Sequence, residues 1–255
     1  MKKTSGFPIF DNAVDSLEHG IRMYQDANYP NAHKHAVLAI YQAVELFLKD
    51  ALCRVNPVLI YCDLDKRITE DSRTVGYKEA ITRLGNVGVV LDEKAKPSIE
   101  RLQKRRNRIE HREYKPSDDD KNYIAEALKC VYDFVPQYLK TEELSSYVDD
   151  NLWTELQTFM LDYEKLLEEA EKQVEEITGP ALSDPKAFAE PPLECPRCGH
   201  DTLVIGGKDG EDYCFFCRRV VPMAQCSGCS EYFQKEMLEE VFKCPDCLRA
   251  QWERD

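Results

Sequence analysis

Hydrophobic side chains in the first 140 residues recur at steps of three and four, the spacing that places them on one face of an α-helix. Capping residues, prolines and glycines mark where each helix begins and ends. Because every predicted helix has a single apolar face, residues 1–140 are expected to form an antiparallel helical bundle. The pattern predicts five helices, near Asp11–Tyr24, Asn31–Pro57, Gly76–Gly85, Pro97–Tyr114 and Ser117–Pro136.

A long acidic helix is predicted over residues 141–178. Its apolar positions alternate steps of four and three, which is an a/d pattern. Such a stripe packs either on the bundle of its own chain or on the same helix of a second copy, and both alternatives are open. Gly179-Pro180 is predicted to end the helix, and recurrent prolines predict an extended linker over residues 179–194. The stripe consists of Leu152, Leu156, Phe159, Tyr163, Leu166 and Ala170.

The charge of the chain is concentrated in that helix. The net charge is −13, yet residues 141–190 hold 14 acidic and 3 basic residues, whereas residues 1–140 hold 21 and 23. The overall acidity therefore does not exclude an anionic partner for the bundle. No apolar run of about 18 residues predicts a membrane span, and Pro8, Asp11 and Asp15 interrupt any signal peptide. A cytoplasmic protein with no membrane partner is expected.

Cysteine is the compositional outlier, with 11 residues, eight of them in four C-x-x-C pairs. In a reducing compartment such pairs are typical metal ligands. Four thiolates suit tetrahedral Zn²⁺ and leave no open position, so each site is expected to be structural. Residues 195–255 are therefore predicted to form small β-rich tandem zinc ribbons with two zinc ions per chain. The predicted ligands are Cys195, Cys198, Cys214 and Cys217 for one ion, and Cys226, Cys229, Cys244 and Cys247 for the other.

The spacing of the pairs also allows a second grouping. A cross-brace, in which the first pair joins the third and the second joins the fourth, resembles a RING-like ubiquitin ligase module. Zinc ribbons contact nucleic acid or protein, so a nucleic acid, a protein partner and a purely stabilising role all remain open for this segment. His200 follows a cysteine knuckle but has no vacant ligand position, and an exposed polar side chain is expected there.

The densest basic run carries a chemically suggestive group on one helix. Asn107 and His111 are four residues apart and share a face, and Arg106 lies beside Asn107. An imidazole can accept or donate a proton near neutral pH, and a guanidinium can stabilise charge on a phosphorane-like transition state. RNA supplies its own 2′-hydroxyl as nucleophile, so no metal is required. One histidine cannot act as base and acid in the same step, but two copies related by a dyad axis supply both.

The bundle resembles a HEPN domain, a helical family of prokaryotic toxins, defence ribonucleases and RNA-processing enzymes. The family motif is Arg, a polar residue and then His after four to six intervening positions. The resemblance implies metal-independent endoribonuclease activity in a homodimer, with Arg106 and His111 essential, Asn107 supporting, and Glu45 as the second-helix acid near the motif. An ion pair between Glu45 and Lys49 is the alternative for that acid. The matching segments are Ser16–Gly20, Ala43–Lys49, Gly76–Ile81 and Arg106–His111.

The leading hypothesis is a HEPN endoribonuclease that cleaves RNA to a cyclic phosphate, in a toxin or antiviral defence setting. The rival is a non-catalytic regulator that binds nucleic acid or protein, in which the bundle dimerises and the ribbons recruit a partner. Basic residues beside the motif are predicted to contact RNA phosphates; these are Lys104, Arg105, Arg108 and Arg112.

Overall fold

A computed structural model describes residues 8–26, 28–91, 95–112, 114–116, 119–139, 143–183, 191–235 and 243–252. The described chain is mainly helical, with small antiparallel sheets near its C-terminal end. It divides into two compact units, Met1–Leu161 and Asp162–Asp255, and the division falls inside one long helix.

The first unit is a bundle of helices around one hydrophobic core. Short 3₁₀ turns follow the second and fifth helices, at Pro57–Ile60 and Leu144–Ser146. The elements of this unit are α1 (Ile9–Gln25), α2 (Ala32–Val55), α3 (Tyr77–Asn86), α4 (Ala95–His111), α5 (Asp119–Leu139) and the first turns of α6 (Asp150–Ser183).

Contacts between α1 and α2 run in opposite chain order, so these two helices are antiparallel. Phe10 near the start of α1 meets Phe47 near the end of α2, with ring centroids 5.8 Å apart. At the other end of the same pair, Tyr24 lies beside His33. Between them, a Cβ at Gly20 would collide with the side chain of Ile40, so the two helices approach closely only because position 20 carries no side chain.

Several helix ends differ from the sequence expectation. Helix α6 begins at Asp150 rather than at residue 141, after the 3₁₀ turn at Leu144–Ser146, and α4 ends at His111 rather than near Tyr114. Helix α1 begins two residues before Asp11, whose carboxylate lies in the first turn, where the helix dipole favours negative charge. Helix α5 continues through Pro136 to Leu139, and α6 continues through Gly179 and Pro180 to Ser183. Each proline stands close to the C-terminal end of its helix. The predicted start at Ser117 lies outside the described residues.

The apolar stripe of α6 is buried by its own chain over most of its length. Leu152 and Leu156 are 6% and 2% exposed in the first unit. Tyr163 and Ala170 are buried as well, although they belong to the second unit. Leu166 is 42% exposed. Packing within the chain is therefore the alternative that these buried positions support.

The second unit adds two small sheets to the C-terminal part of α6. Strands β1 (Leu203–Lys208), β2 (Glu211–Cys214) and β3 (Arg219–Val220) form an antiparallel sheet in that order, and β4 (Met223–Gln225) pairs with β5 (Tyr232–Gln234). Helix α7 (Pro245–Trp252) follows. Residues 184–190 of the predicted linker lie outside the described residues. Residues 179–183 belong to α6 instead of the linker, and Leu193 bridges to Leu203. Within the described ranges, no helix has the length and apolar character needed to cross a membrane.

Candidate functional site

Helix α4 presents the predicted catalytic group on its solvent face. The opposite face is anchored in the core by Ile99, Leu102 and Ile109, which are at most 6% exposed. Because each residue turns about 100° around a helix, these anchors aim the intervening polar positions outward. The exposed side chains are Lys104, Asn107, Arg108, Glu110, His111 and Arg112.

His111, a member of the predicted catalytic group, is largely exposed. Its side chain is 72% exposed in the last turn of α4, and its Nε2 lies 4.0 Å from the Glu110 carboxylate. No core contact occupies the ring, so the imidazole is free to meet a substrate or a second protein copy. This is the position that a proton-transfer residue requires.

Arg106 lies at the edge of the same face, where neighbouring groups orient it. Its Nη1 donates to the Oδ1 of Asn107 at 3.0 Å and lies 2.8 Å from an oxygen of Glu110. The guanidinium carbon lies 5.4 Å from the centre of the Tyr41 ring, a cation–π distance. The guanidinium therefore lies between the neighbouring helix α2 and the exposed end of α4, and the Arg106 side chain remains 34% exposed.

Tyr41 links the motif to the predicted acid on α2. Gln103 donates its Nε2–H to the Tyr41 hydroxyl at 3.0 Å. Burial first, and the nearby carboxylate of Glu45 second, raise the pKa of Tyr41 to about 12. Glu45 also forms the ion pair with Lys49 that was the alternative for this acid, at 2.7 Å. The structure thus brings Glu45 close to the motif through Tyr41, a residue that the motif pattern does not include.

Arg105 differs from the other basic residues predicted to contact RNA. Its side chain is only 11% exposed, and its Nη2 donates to Asp120 at 2.8 Å and to the Lys115 carbonyl at 2.7 Å. Asp120 is itself fully buried, and it raises the pKa of Arg105 through this hydrogen bond. A guanidinium held in this way joins α4 to α5, so we assign Arg105 a structural role. Lys104, Arg108 and Arg112 stay exposed.

The eight paired cysteines form two compact clusters in the second unit. The grouping is sequential rather than cross-braced, and within each cluster all four sulfur atoms lie within 4.8 Å of one another. Two sulfur pairs of the first cluster, Cys195–Cys217 and Cys198–Cys214, are 3.9 and 3.5 Å apart. A tetrahedral ion with bonds of about 2.3 Å requires sulfur atoms about 3.8 Å apart. Both clusters are therefore compatible with metal binding.

The backbone at the cysteine pairs forms tight turns that point sulfur atoms inward. A residue with positive φ follows three of the pairs: Gly199 at 73°, Arg218 at 56° and Ser230 at 63°. In the second cluster the amide of Cys244 donates to the sulfur of Cys226 at 3.2 Å. This hydrogen bond lowers the pKa of the Cys226 thiol, because it stabilises the thiolate that a metal ion binds.

Packing around the two clusters is unequal. The first cluster lies in a small apolar core with Leu203 and Val221. Beside it, Nε2 of His200 is 2.7 Å from the Tyr163 hydroxyl, and the His200 ring lies 4.1 Å from that of Phe216. His200 is therefore half-buried and bonded to α6 rather than exposed as predicted. In the second cluster, by contrast, Cys229 is exposed.

A close backbone approach shapes the second cluster. A Cβ placed on Gly228 would lie 2.8 Å from the sulfur of Cys247, a contact that a real side chain would not tolerate. Glycine at this position therefore lets the Cys226–Cys229 turn and α7 meet at the second cysteine cluster.

Comparison with known proteins gives no relative for either unit. Neither a protein-family model nor a curated protein nor a solved structure matches this chain.

Proposed function

We propose that this protein is a metal-independent endoribonuclease that acts as a homodimer. The observation that carries the proposal is the exposed imidazole of His111 on the same helix face as Asn107 and beside Arg106. A nuclease of this kind needs an accessible proton-transfer group and a nearby cation, and α4 presents both. Lys104, Arg108 and Arg112 surround the group and attract the phosphate backbone.

The proposed reaction is a transesterification within RNA. His111 of one copy accepts the proton of a 2′-hydroxyl, and that oxygen attacks the adjacent phosphorus. The bond from phosphorus to the 5′-oxygen breaks, and the leaving oxygen takes a proton from His111 of the second copy. Arg106 stabilises the added charge on the phosphoryl oxygens, and Asn107 orients the guanidinium through its 3.0 Å hydrogen bond. The products are a 2′,3′-cyclic phosphate and a 5′-hydroxyl.

We further propose that each four-cysteine cluster holds one zinc ion. Soft thiolates favour zinc, and the sulfur separations fit its bond length. Four protein ligands leave no position for water, so the ions stabilise the second unit and take no part in the cleavage. Any protein partner of this unit binds to its surface rather than to the ions.

The decisive experiment uses purified full-length protein and total RNA in excess EDTA. We expect cleavage by the unmodified protein, with cyclic-phosphate ends, and a loss of at least a hundredfold in Arg106→Ala and His111→Ala. The matched controls are Arg22→Ala and His19→Ala, which remove the same residue types from the exposed surface of α1. These two variants should cleave at the original rate.

Intact RNA in every sample would contradict the nuclease proposal and favour the non-catalytic regulator. An ordinary ion pair between Arg106 and Glu110 on a solvated helix is the observation that favours that rival. Equal loss of activity in the α1 controls would likewise refute the assignment of the site to α4. A toxin or antiviral role predicts, in addition, that induced expression arrests growth of a host cell and that His111→Ala relieves the arrest.

A further inference from the structure

A cleft of about 490 Å³ opens in the first unit, between the start of α2 and the segment that follows α4. Three tyrosines, Tyr24, Tyr29 and Tyr114, contribute to its walls, together with His33 and Lys121. We infer that this cleft binds a nucleotide of single-stranded RNA, with the base against the aromatic rings and the phosphate beside Lys121. The inference rests on the proposed function, for which it supplies a substrate-binding subsite.

The aromatic walls are held in place by contacts outside the cleft. The Tyr114 hydroxyl donates to Asp120 at 3.3 Å, and the Arg105 guanidinium lies 5.2 Å from the centre of the Tyr114 ring. Tyr24 packs edge-on against Phe159, with ring centroids 5.5 Å apart. Rings that are already fixed lose little entropy when a base stacks on them, which favours a binding surface over a flexible patch.

Tyr29 provides the most accessible ring of the cleft. Its side chain is 45% exposed, and the turn that carries it is held by Asp26, whose Oδ1 accepts the amide hydrogens of Asn28 and Tyr29 at 3.0 and 3.1 Å. The only carboxylate that lines the described cleft thus already binds two amides. The Tyr29 ring meets that of His35 edge-on at 5.4 Å, and its exposed surface is available for a base to stack on.

The positive charge of the cleft suits the phosphate of the same nucleotide. Lys121 is exposed, and no carboxylate of the described residues forms an ion pair with it. The ammonium of Lys34 lies 5.9 Å from the Tyr114 ring. An aromatic cleft with cations at its edge is the arrangement that binds single strands without strong sequence preference.

The chain itself connects the cleft to the proposed catalytic group. Tyr114 is three residues beyond His111, so their Cα atoms are separated by at most about 11 Å. At about 3.4 Å per stacked nucleotide, that distance corresponds to only a few nucleotides of one strand. An RNA strand that reaches His111 can therefore place a neighbouring nucleotide in the cleft.

The test measures binding of a fluorescent ten-nucleotide uridine RNA to the full chain carrying His111→Ala, so that cleavage does not consume the probe. Adding Tyr29→Ala should weaken binding at least fivefold, because one stacking contact is lost. Tyr29→Phe keeps the ring and should bind within twofold of the parent. Lys121→Ala should weaken binding and reduce the slope of log K against log salt by about 0.7, the value for one phosphate contact on a single strand.

Lys66→Ala is the control for charge. The Lys66 side chain is 81% exposed, and this residue is far along the chain from those that line the cleft. Its affinity and salt slope should match those of the parent. Unchanged affinity in both Tyr29→Ala and Lys121→Ala would overturn the inference and leave the cleft to a protein ligand. Cleavage is scored separately. If RNA binds through the cleft but is not cut, only the nuclease proposal is refuted. If the unmodified protein cuts RNA and neither cleft variant changes the affinity for RNA, only the subsite is refuted.

Discussion

The two units of this chain are stabilised by different means. Met1–Leu161 encloses one large hydrophobic core that contains fully buried leucines and isoleucines from several helices. In Asp162–Asp255, the apolar cluster around the first cysteine site is small, and cysteines form much of it. Transfer of apolar area from water can stabilise the first unit by itself, whereas the second unit has a small apolar core and we expect it to need the proposed bonds from sulfur to metal. The comparison leads us to expect that this chain combines a metal-independent scaffold with a metal-dependent one.

Metal removal should cause the largest difference in stability between the two units. Excess EDTA under reducing conditions is expected to unfold the ribbon, since a structural zinc contributes roughly 10–16 kcal/mol of apparent binding free energy. Amide hydrogen exchange should then rise in β1–β5 and stay unchanged in α1–α5. Zinc should be two per chain before chelation, and Cys62→Ser, at an exposed cysteine outside the clusters, should retain both ions. Ribbon amides that stay protected without metal would refute the comparison.

Truncation of a core side chain should destabilise the first unit and leave the second unit unchanged. Leu48 is 1% exposed, and Leu48→Ala removes methyl groups from the centre of α2. The expected loss in the free energy of unfolding is about 2–5 kcal/mol for the first unit, with no change in zinc content. Urea unfolding followed by circular dichroism measures the loss. Leu64→Ala, at a 47% exposed leucine, should stay within about 0.5 kcal/mol of the parent. A comparable loss in that control would mean that burial does not explain the effect.

A buried carboxyl group should make the stability of the first unit depend on pH. Burial raises the pKa of Glu126 to about 7, even though Arg101 lies 3.0 Å away. A raised carboxyl pKa gives stability that is complete below about pH 4.5 and is lost as the pH rises through about 7. We expect a loss of about 2–3 kcal/mol between pH 5 and 8, measured by urea unfolding, and a flatter profile in Glu126→Gln.

Asp133→Asn is the control for that profile. Asp133 pairs with Lys129 on the surface of α5, where its side chain is 45% exposed. The steep dependence should persist in this variant, because the neutralised group is solvated in both folded and unfolded chains. An unmodified protein with equal stability at pH 5 and 8 would contradict the assignment to Glu126.

The smallest effect should come from one hydroxyl beside the first cysteine cluster. Tyr163→Phe removes the 2.7 Å hydrogen bond to His200 and retains the ring contact with Phe216. A loss of about 1 kcal/mol is expected, or about fivefold in the chelator concentration that withdraws the first ion. Competition with a zinc-binding dye provides the measurement. Tyr213→Phe is the control, and a first-site affinity that Tyr163→Phe leaves unaltered would show that the hydrogen bond does not support the cluster.

The sequence predicted the helices and the ligands better than it predicted individual side-chain roles. Spacing alone identified the eight cysteines, but both groupings fitted it, and only the coordinates brought Cys195 together with Cys217. Arg105 and Arg106 are adjacent in a basic run, yet one is buried against Asp120 and the other reaches the surface. That difference depends on a partner 15 residues away, which a local pattern does not contain. The motif pattern does not include Tyr41 for the same reason, because Tyr41 joins the group from another helix.

The backbone turns that follow three of the cysteine pairs affect how the second unit would acquire the proposed ions. Arg218 and Ser230 hold left-handed backbone angles that cost an ordinary residue about 1–2 kcal/mol each. Hydrogen bonds hold the Ser230 turn, because its amide donates to the Cys226 carbonyl at 2.9 Å and its carbonyl accepts from the Gln225 side chain at 2.9 Å. The proposed ions would also offset this strain, so we expect both loops to relax toward extended conformations when no ion is bound. We therefore expect metal loading to be a folding reaction with its own rate, so that a newly made chain would mature only as fast as its supply of metal allows.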